Sequence, residues 1–154
     1  MRWIIGVAAV VLVLGAGLVY LQVQAQRSGG TEVRSTDCSP QPCANASGYV
    51  MRLTDVAVNG NDVRVQVSFT VHGLSSMRAA PFDFRLVDGA DRRLAPSFDG
   101  AGCPAWEPTP VPDGGSFGPV TLCFRTVAGG GSLKLHWSPQ LGLNASTGYD
   151  FPIH

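Results

Sequence analysis

"NDVRVQVSFTVH", residues 61–72, decides the fold. Val63, Val65, Val67, Phe69 and Val71 alternate with Arg64, Gln66, Ser68, Thr70 and His72. A period of two is the pattern of a β-strand with one buried and one solvated face. A helix would return its apolar residues every third or fourth position. Just before it, "NGN" at residues 59–61 is a turn signal, because Asn-Gly accepts the positive φ of a type I′ hairpin. The partner strand is then "YVMRLTDVAV", residues 49–58. Its alternation is poorer, with Val50, Val56 and Val58 on one face and Met51 and Leu53 on the other.

Downstream, "PFDFRLVDGADRRL" at residues 81–94 reads as a second hairpin. Period two puts Phe82, Phe84 and Leu86 on one face and Asp83, Arg85 and Val87 on the other, so Asp83 is expected to point away from the core. "DGAD" is the turn, where Asp caps local N–H groups and Gly takes positive φ. Asp83, Asp88 and Asp91 also raise the question of a metal or a catalytic proton. A calcium loop needs about six oxygen ligands at regular spacing, and this stretch offers two carboxylates in the turn with no following Glu. The hairpin reading is preferred. Residues 100–116 form a Pro-rich loop that cannot be a central strand. "FGPVTLCFRTV" (117–127) resumes a strand with Val120, Leu122 and Phe124 inward and Cys123 outward. "SLKLHW" (132–137) and "GYDFPI" (148–153) complete about seven short strands. The fold class expected is an all-β sandwich, preceded by one N-terminal transmembrane helix.

The expectation of that helix rests on residues 3–21, nineteen residues without a charge. At about 1.5 Å per residue a helix of this length spans roughly 28 Å, close to the hydrocarbon thickness of about 30 Å. A cleavable signal has an apolar core of only about 7–15 residues. The length favours a signal-anchor over residues 1–24. "VQA" at 23–25 keeps open cleavage after Ala25, which would make the protein secreted. No Cys directly follows the apolar run, which excludes a lipoprotein anchor. With Arg2 and the free amine inside, the C-terminal part is expected outside the cytoplasm, on a single-pass protein of the cell membrane. Residues 25–48, rich in Gln, Ser, Gly, Thr, Asn and Pro, read as a linker, and 49–154 as the sandwich.

Eleven basic and eleven acidic residues cancel, so there is no basic field for nucleic acid. The four cysteines, Cys38, Cys43, Cys103 and Cys123, all follow the apolar segment. In an exported chain they read as two disulfides, with three connectivities open and Cys38–Cys43 plus Cys103–Cys123 favoured. A zinc site fits poorly, since the second pair lacks the short ligand spacing. "NAS" at Asn45 and Asn144 would accept glycans in a eukaryotic secretory route, but the Val, Ala, Gly and Arg bias suggests a GC-rich bacterial genome.

The pieces "FDFRLVDGADRRLAPS", "VPDGGSFGPVTLCFRTV" and "LKLHW" resemble the DUF4352-type, immunoglobulin-like extracellular domains of Gram-positive and actinobacterial proteins, whose fold is like that of the secreted mycobacterial MPT63 antigen. The resemblance covers about residues 50–138. It implies a secreted or anchored binding module with a protein partner in the cell envelope, and brings no catalytic residues and no cofactor. "PDGGS" stands where that family often has Pro-Gly, and the four cysteines are additional.

For chemistry, no Gly-x-Ser-x-Gly elbow is present, and the cysteines read as paired, so no enzyme is expected. A paired-carboxylate site would need two acids converging in a cleft, for which Asp83 and Asp99 are candidates. The alternative to a binding module is an exported copper-type protein using His72, Met77 and His136, since imidazole and thioether suit copper; the bland alternative is exposed strand histidines and a gap-filling methionine. His154 is terminal. Trp106, in the Pro-stiffened "CPAWEPTP", is the candidate for partner binding, because a stiff loop loses little entropy and Trp is enriched in hot spots. Its competing role is to fold over the end of the sandwich.

Overall fold

The structure, a computed structural model, describes residues 31–32, 38–74, 76–127, 131–140 and 148–153. The apolar segment 1–24, Asn144 and His154 lie outside the described residues, and with them the membrane-crossing expectation. Among the described residues no helix is long and apolar enough to cross a membrane.

Alternation of apolar and polar residues yields strands almost throughout: β1 (Thr31–Glu32), β2 (Cys43–Ala46), β3 (Tyr49–Asn59), β4 (Asp62–Val71), β5 (Ser76–Ala79), β6 (Phe84–Val87), β7 (Arg93–Leu94), β8 (Thr109–Pro112), β9 (Ser116–Arg125), β10 (Leu133–Trp137) and β11 (Tyr149–Ile153), with one 3₁₀ turn at Pro81–Asp83. A four-stranded sheet runs β2-β3-β4-β9, a five-stranded sheet runs β1-β11-β10-β6-β7, and β5 pairs with β8 in a separate ribbon. Among the described residues only β1 and β11 pair in parallel. Four of these strands, β1, β2, β5 and β8, exceed the seven expected. Each is two to four residues long, too short for a period to show. The ribbon also explains how a Pro-rich segment enters a strand: β8 pairs on one side only, where a missing N–H costs nothing. Part of the segment read as a linker is paired. β2 is paired along its length with β3, and the Leu53 N–H donates to the Pro42 carbonyl at 3.0 Å, so residues 42–46 belong to the sheet.

The inner faces of the two sheets share one core. Val63, Val65, Val67, Phe69 and Val71 of β4 are all 0–1% exposed. Across from them lie Phe84 and Leu86 of β6, Leu135 and Trp137 of β10, and Phe151 of β11. Trp137 meets Tyr49 edge-on at 5.3 Å, and Phe69 meets Phe84 at 6.0 Å. Such pairs contribute about 0.5–1.5 kcal/mol each beyond the burial of their area.

The poor alternation of residues 49–58 has a structural cause. The register between β3 and β4 shifts between Leu53 and Asp55. One extra residue there turns the chain over, so Met51 and Leu53 before it and Val56 and Val58 after it all lie opposite inward residues of β4. A second shift, between Val67 and Phe69 against β9, brings Phe117 and Val120 to one face in the same way. Gly118 sits in that bulge at φ +104, and a Cβ there would lie 2.8 Å from the Val67 carbonyl oxygen. The hairpin between β3 and β4 has Gly60 and Asn61 as its loop, with positive φ at Gly60 alone. That is the type II′ pattern rather than type I′.

The stretch 81–94 departs most from expectation. Pro81, Phe82 and Asp83 wind into the 3₁₀ turn, so period two begins only at Phe84. Phe82 is thereby 50% exposed and Asp83 is only 7% exposed, the reverse of the expected faces. The following hairpin has a three-residue loop, 89–91, in which Asp91, not Gly89, takes positive φ at 56°. This is the type I turn plus left-handed residue common in three-residue loops.

Candidate functional site

A concavity lies where loop 97–103 folds over the outer face of the four-stranded sheet. Strand alternation puts Asp62 and Arg64 on the outer face of β4, opposite Arg125 and Cys123 of β9. The loop is fastened there three times. The Ser97 N–H donates to the Cys123 carbonyl at 2.7 Å, Arg64 Nη2 donates to the Ala101 carbonyl at 3.0 Å, and Cys103 is bonded to Cys123. Gly102, at φ +79, leaves room for Arg64, whose Nη1 would lie 3.2 Å from a Cβ at that position. A half-open cavity of about 150 Å³ results, whose lining includes Asp62, Arg64, Ser97, Asp99, Arg125 and the Cys103–Cys123 bridge. Arg125 Nε faces Asp62 Oδ1 at 3.6 Å, with both side chains well exposed. Sequence reasoning missed this site. Arg64 read as part of an ordinary wet face, Asp99 was named only beside Asp83, and Cys103 and Cys123 alone pointed to the loop that covers the site.

At the other end of β4, beside Val71, Tyr49 and Asp83 form a contrasting environment. Burial pushes the Asp83 carboxyl up to about 6, with the nearby Arg85 guanidinium acting weakly against it. Burial, and then the Asp83 charge, push the Tyr49 hydroxyl far above its ordinary range. Tyr49 Oη and Trp137 Nε1 are both buried without a partner. Asp99 belongs to the first end of β4 and Asp83 to the second. Asp62 to Val71 spans ten residues, roughly 30 Å of strand, so the two acids do not converge.

The residues singled out for metal occupy three separate places in the fold. His72 is exposed at the end of the four-stranded sheet, with its N–H on the Gly48 carbonyl. Met77 packs its thioether against the core from the ribbon. His136 lies on the outer face of the five-stranded sheet, its Nδ1 held by Asp150 Oδ1 at 2.6 Å. Among the described residues no three of His, Cys, Asp and Glu cluster as metal ligands. Trp106 lies tilted on Phe117 at 5.5 Å and Phe69 at 6.3 Å, half-buried at the rim of the core. Cys38 is bonded to Cys43, so all four cysteines of the chain are in disulfides.

No protein-family model matches the chain, and no curated protein matches it. Two solved structures from Bacillus subtilis have a similar fold. One is a candidate lipoprotein, ycdA, with a TM-score of 0.60 and 16% identity over 75% of this chain. The chain spans only 39% of that protein's length. The other is the yjhA protein, with a TM-score of 0.53 and 14% identity over 74% of this chain and 97% of its own. The likeness is one of fold.

Proposed function

We propose that this chain is an extracytoplasmic, non-catalytic binding module of a bacterial envelope, held at the membrane by residues 1–24 or secreted after Ala25. One observation carries the reading: every cysteine of the chain is engaged in a disulfide within an all-β domain. Disulfides persist in oxidising compartments and are rare in the cytosol. The fold shared with a candidate lipoprotein supports the same side of the membrane, and the immunoglobulin-like, DUF4352-type kinship drawn from the strand motifs belongs to this reading. In this proposal the partner is a protein of the envelope. The test is the full chain expressed in a bacterial host, denatured without reductant and treated with a maleimide. An unlabelled mass, together with digestion of the domain by protease added to intact spheroplasts, is the expected result. Four labelled thiols, or a domain that protease reaches only after lysis, would overturn the proposal.

A further inference from the structure

The cavity under loop 97–103 has a lining that selects a chemical class. Its charged groups are two guanidinium groups, Arg64 and Arg125, and two carboxylates, Asp62 and Asp99. A simple anion brought among them meets the carboxylates, and a simple cation meets the guanidinium groups. A ligand carrying both charges close together can satisfy both kinds of group, and charge-assisted hydrogen bonds are the strong ones. The volume restricts the class further. A cavity of about 150 Å³ holds a group about the size of benzene. That admits both ends of a small α-amino acid.

The site is also built before any ligand arrives. Its walls come from residues 62–64, 97–103 and 123–125, far apart in sequence. The disulfide and the Arg64 and Ser97 hydrogen bonds hold them in place. Binding then costs little ordering of the loop. Arg125 keeps most of its guanidinium free, since only Nε faces Asp62, so it can present a planar fork to a carboxylate. Asp99, whose N–H is on Ser97 Oγ at 3.4 Å, stands on the loop side as the acceptor for an ammonium.

We infer that the cavity between loop 97–103 and the outer face of β4 and β9 binds a small α-amino acid, its carboxylate on Arg125 and its ammonium on Asp99. The inference rests on the domain being a binding module. It does not require export, which the maleimide and protease experiment decides separately.

The test is saturation-transfer NMR on the full chain in detergent micelles, with L-alanine as the probe. Glycine serves as competitor, and acetate and methylammonium as half-ligands. The expected result is transfer to alanine that glycine suppresses and that neither half-ligand suppresses at equal concentration. Arg125→Ala and Asp99→Asn should each remove most of the signal, a loss of roughly tenfold or more in affinity for a charge-assisted contact. Arg78→Ala, on β5 away from the cavity, should leave it intact. Absence of transfer to alanine, suppression by acetate alone, or full transfer in Arg125→Ala would each overturn the inference. Arg125 is largely exposed, so its replacement does not threaten the fold.

Discussion

Asp83 and Asp88 flank the same short strand, β6, and both are nearly out of water, at 7% and 3% exposure. Their surroundings are opposite. Asp88 begins a turn that closes around it. Its Oδ1 accepts the N–H groups of Ala90 and Arg92, each at 3.0 Å, and its Oδ2 accepts Arg92 Nε at 2.7 Å. Burial acts to raise its pKa, and these donors outweigh burial and hold it below the ordinary range. Asp83 ends a turn that supplies nothing comparable. Arg85, the nearest cation, spends its Nη1 on the Phe82 and Phe84 carbonyls, so burial dominates and the carboxyl rises to about 6. The lesson is that burial alone does not set the state of a carboxylate. What decides it is whether the local backbone turns its N–H groups toward the side chain.

The largest effect in this comparison belongs to Asp88→Ala. It removes three hydrogen-bond acceptances at once and leaves the Arg92 guanidinium without its partner. Tm should fall by roughly 10 °C, the scale on which lost charge-assisted bonds act in a small domain. A thermal melt by circular dichroism measures it. A fall of only a degree or two would mean that the turn is held by its backbone bonds, and the contrast between the two acids would lose its basis. The Asp88 contribution is fully present above the unfolded-state pKa near 3.9 and is lost as pH falls through the lower folded-state value.

Asp83→Asn comes next, with the opposite sign. The folded-state value of about 6 lies above the unfolded value near 3.9, so the native state binds the extra proton between those limits. Stability therefore falls as pH rises from about 4 to about 6, and the cost is constant above that. Replacing the carboxyl by an amide should stabilise the domain by about 1–2 kcal/mol at pH 7.5, and the advantage should vanish toward pH 4. Urea unfolding at several pH values reads both effects. A variant no more stable than the parent at pH 7.5 would show that Asp83 has a partner that compensates its burial.

The two acids also show what could be read from the sequence. Asp88 was legible: Asp-Gly before a second short strand is a turn, and an Asp at the start of a turn finds local N–H groups. Asp83 was misplaced because period two was carried two residues too far, back through Asp83 to Phe82. Pro81 was the available signal, since proline favours the first position of a helical turn. The alternation at 63–71 was read correctly because β4 has neighbours on both edges and its inward face is wholly buried, which leaves the pattern no freedom. Residues 49–58 hid their face because one bulge inverts the phase, and a bulge has no residue signature where the extra residue is an ordinary Thr54 or Asp55. The cavity at loop 97–103 was illegible for a different reason. Its groups come from three distant segments, and in the sequence only the cysteines Cys103 and Cys123 hint that they meet.

The smallest expected effect sharpens the contrast most. Tyr49 is wholly buried, and its hydroxyl has no hydrogen-bond partner although Asp83 acts on it electrostatically. An unpaired buried hydroxyl costs free energy, and its removal leaves no orphaned partner behind. Tyr49→Phe keeps the ring against Trp137 and Phe69 and removes only the oxygen. The change should be neutral or stabilising by up to about 1 kcal/mol. It should also leave the fall in stability between pH 4 and 6 in place, because that fall is set by the desolvation of Asp83. Urea unfolding of the variant at pH 5 and 7.5 measures both. A clear destabilisation would show that the hydroxyl reaches Asp83 through water. Asp83 would then have a donor after all, and the difference between the two acids would become one of distance rather than of kind.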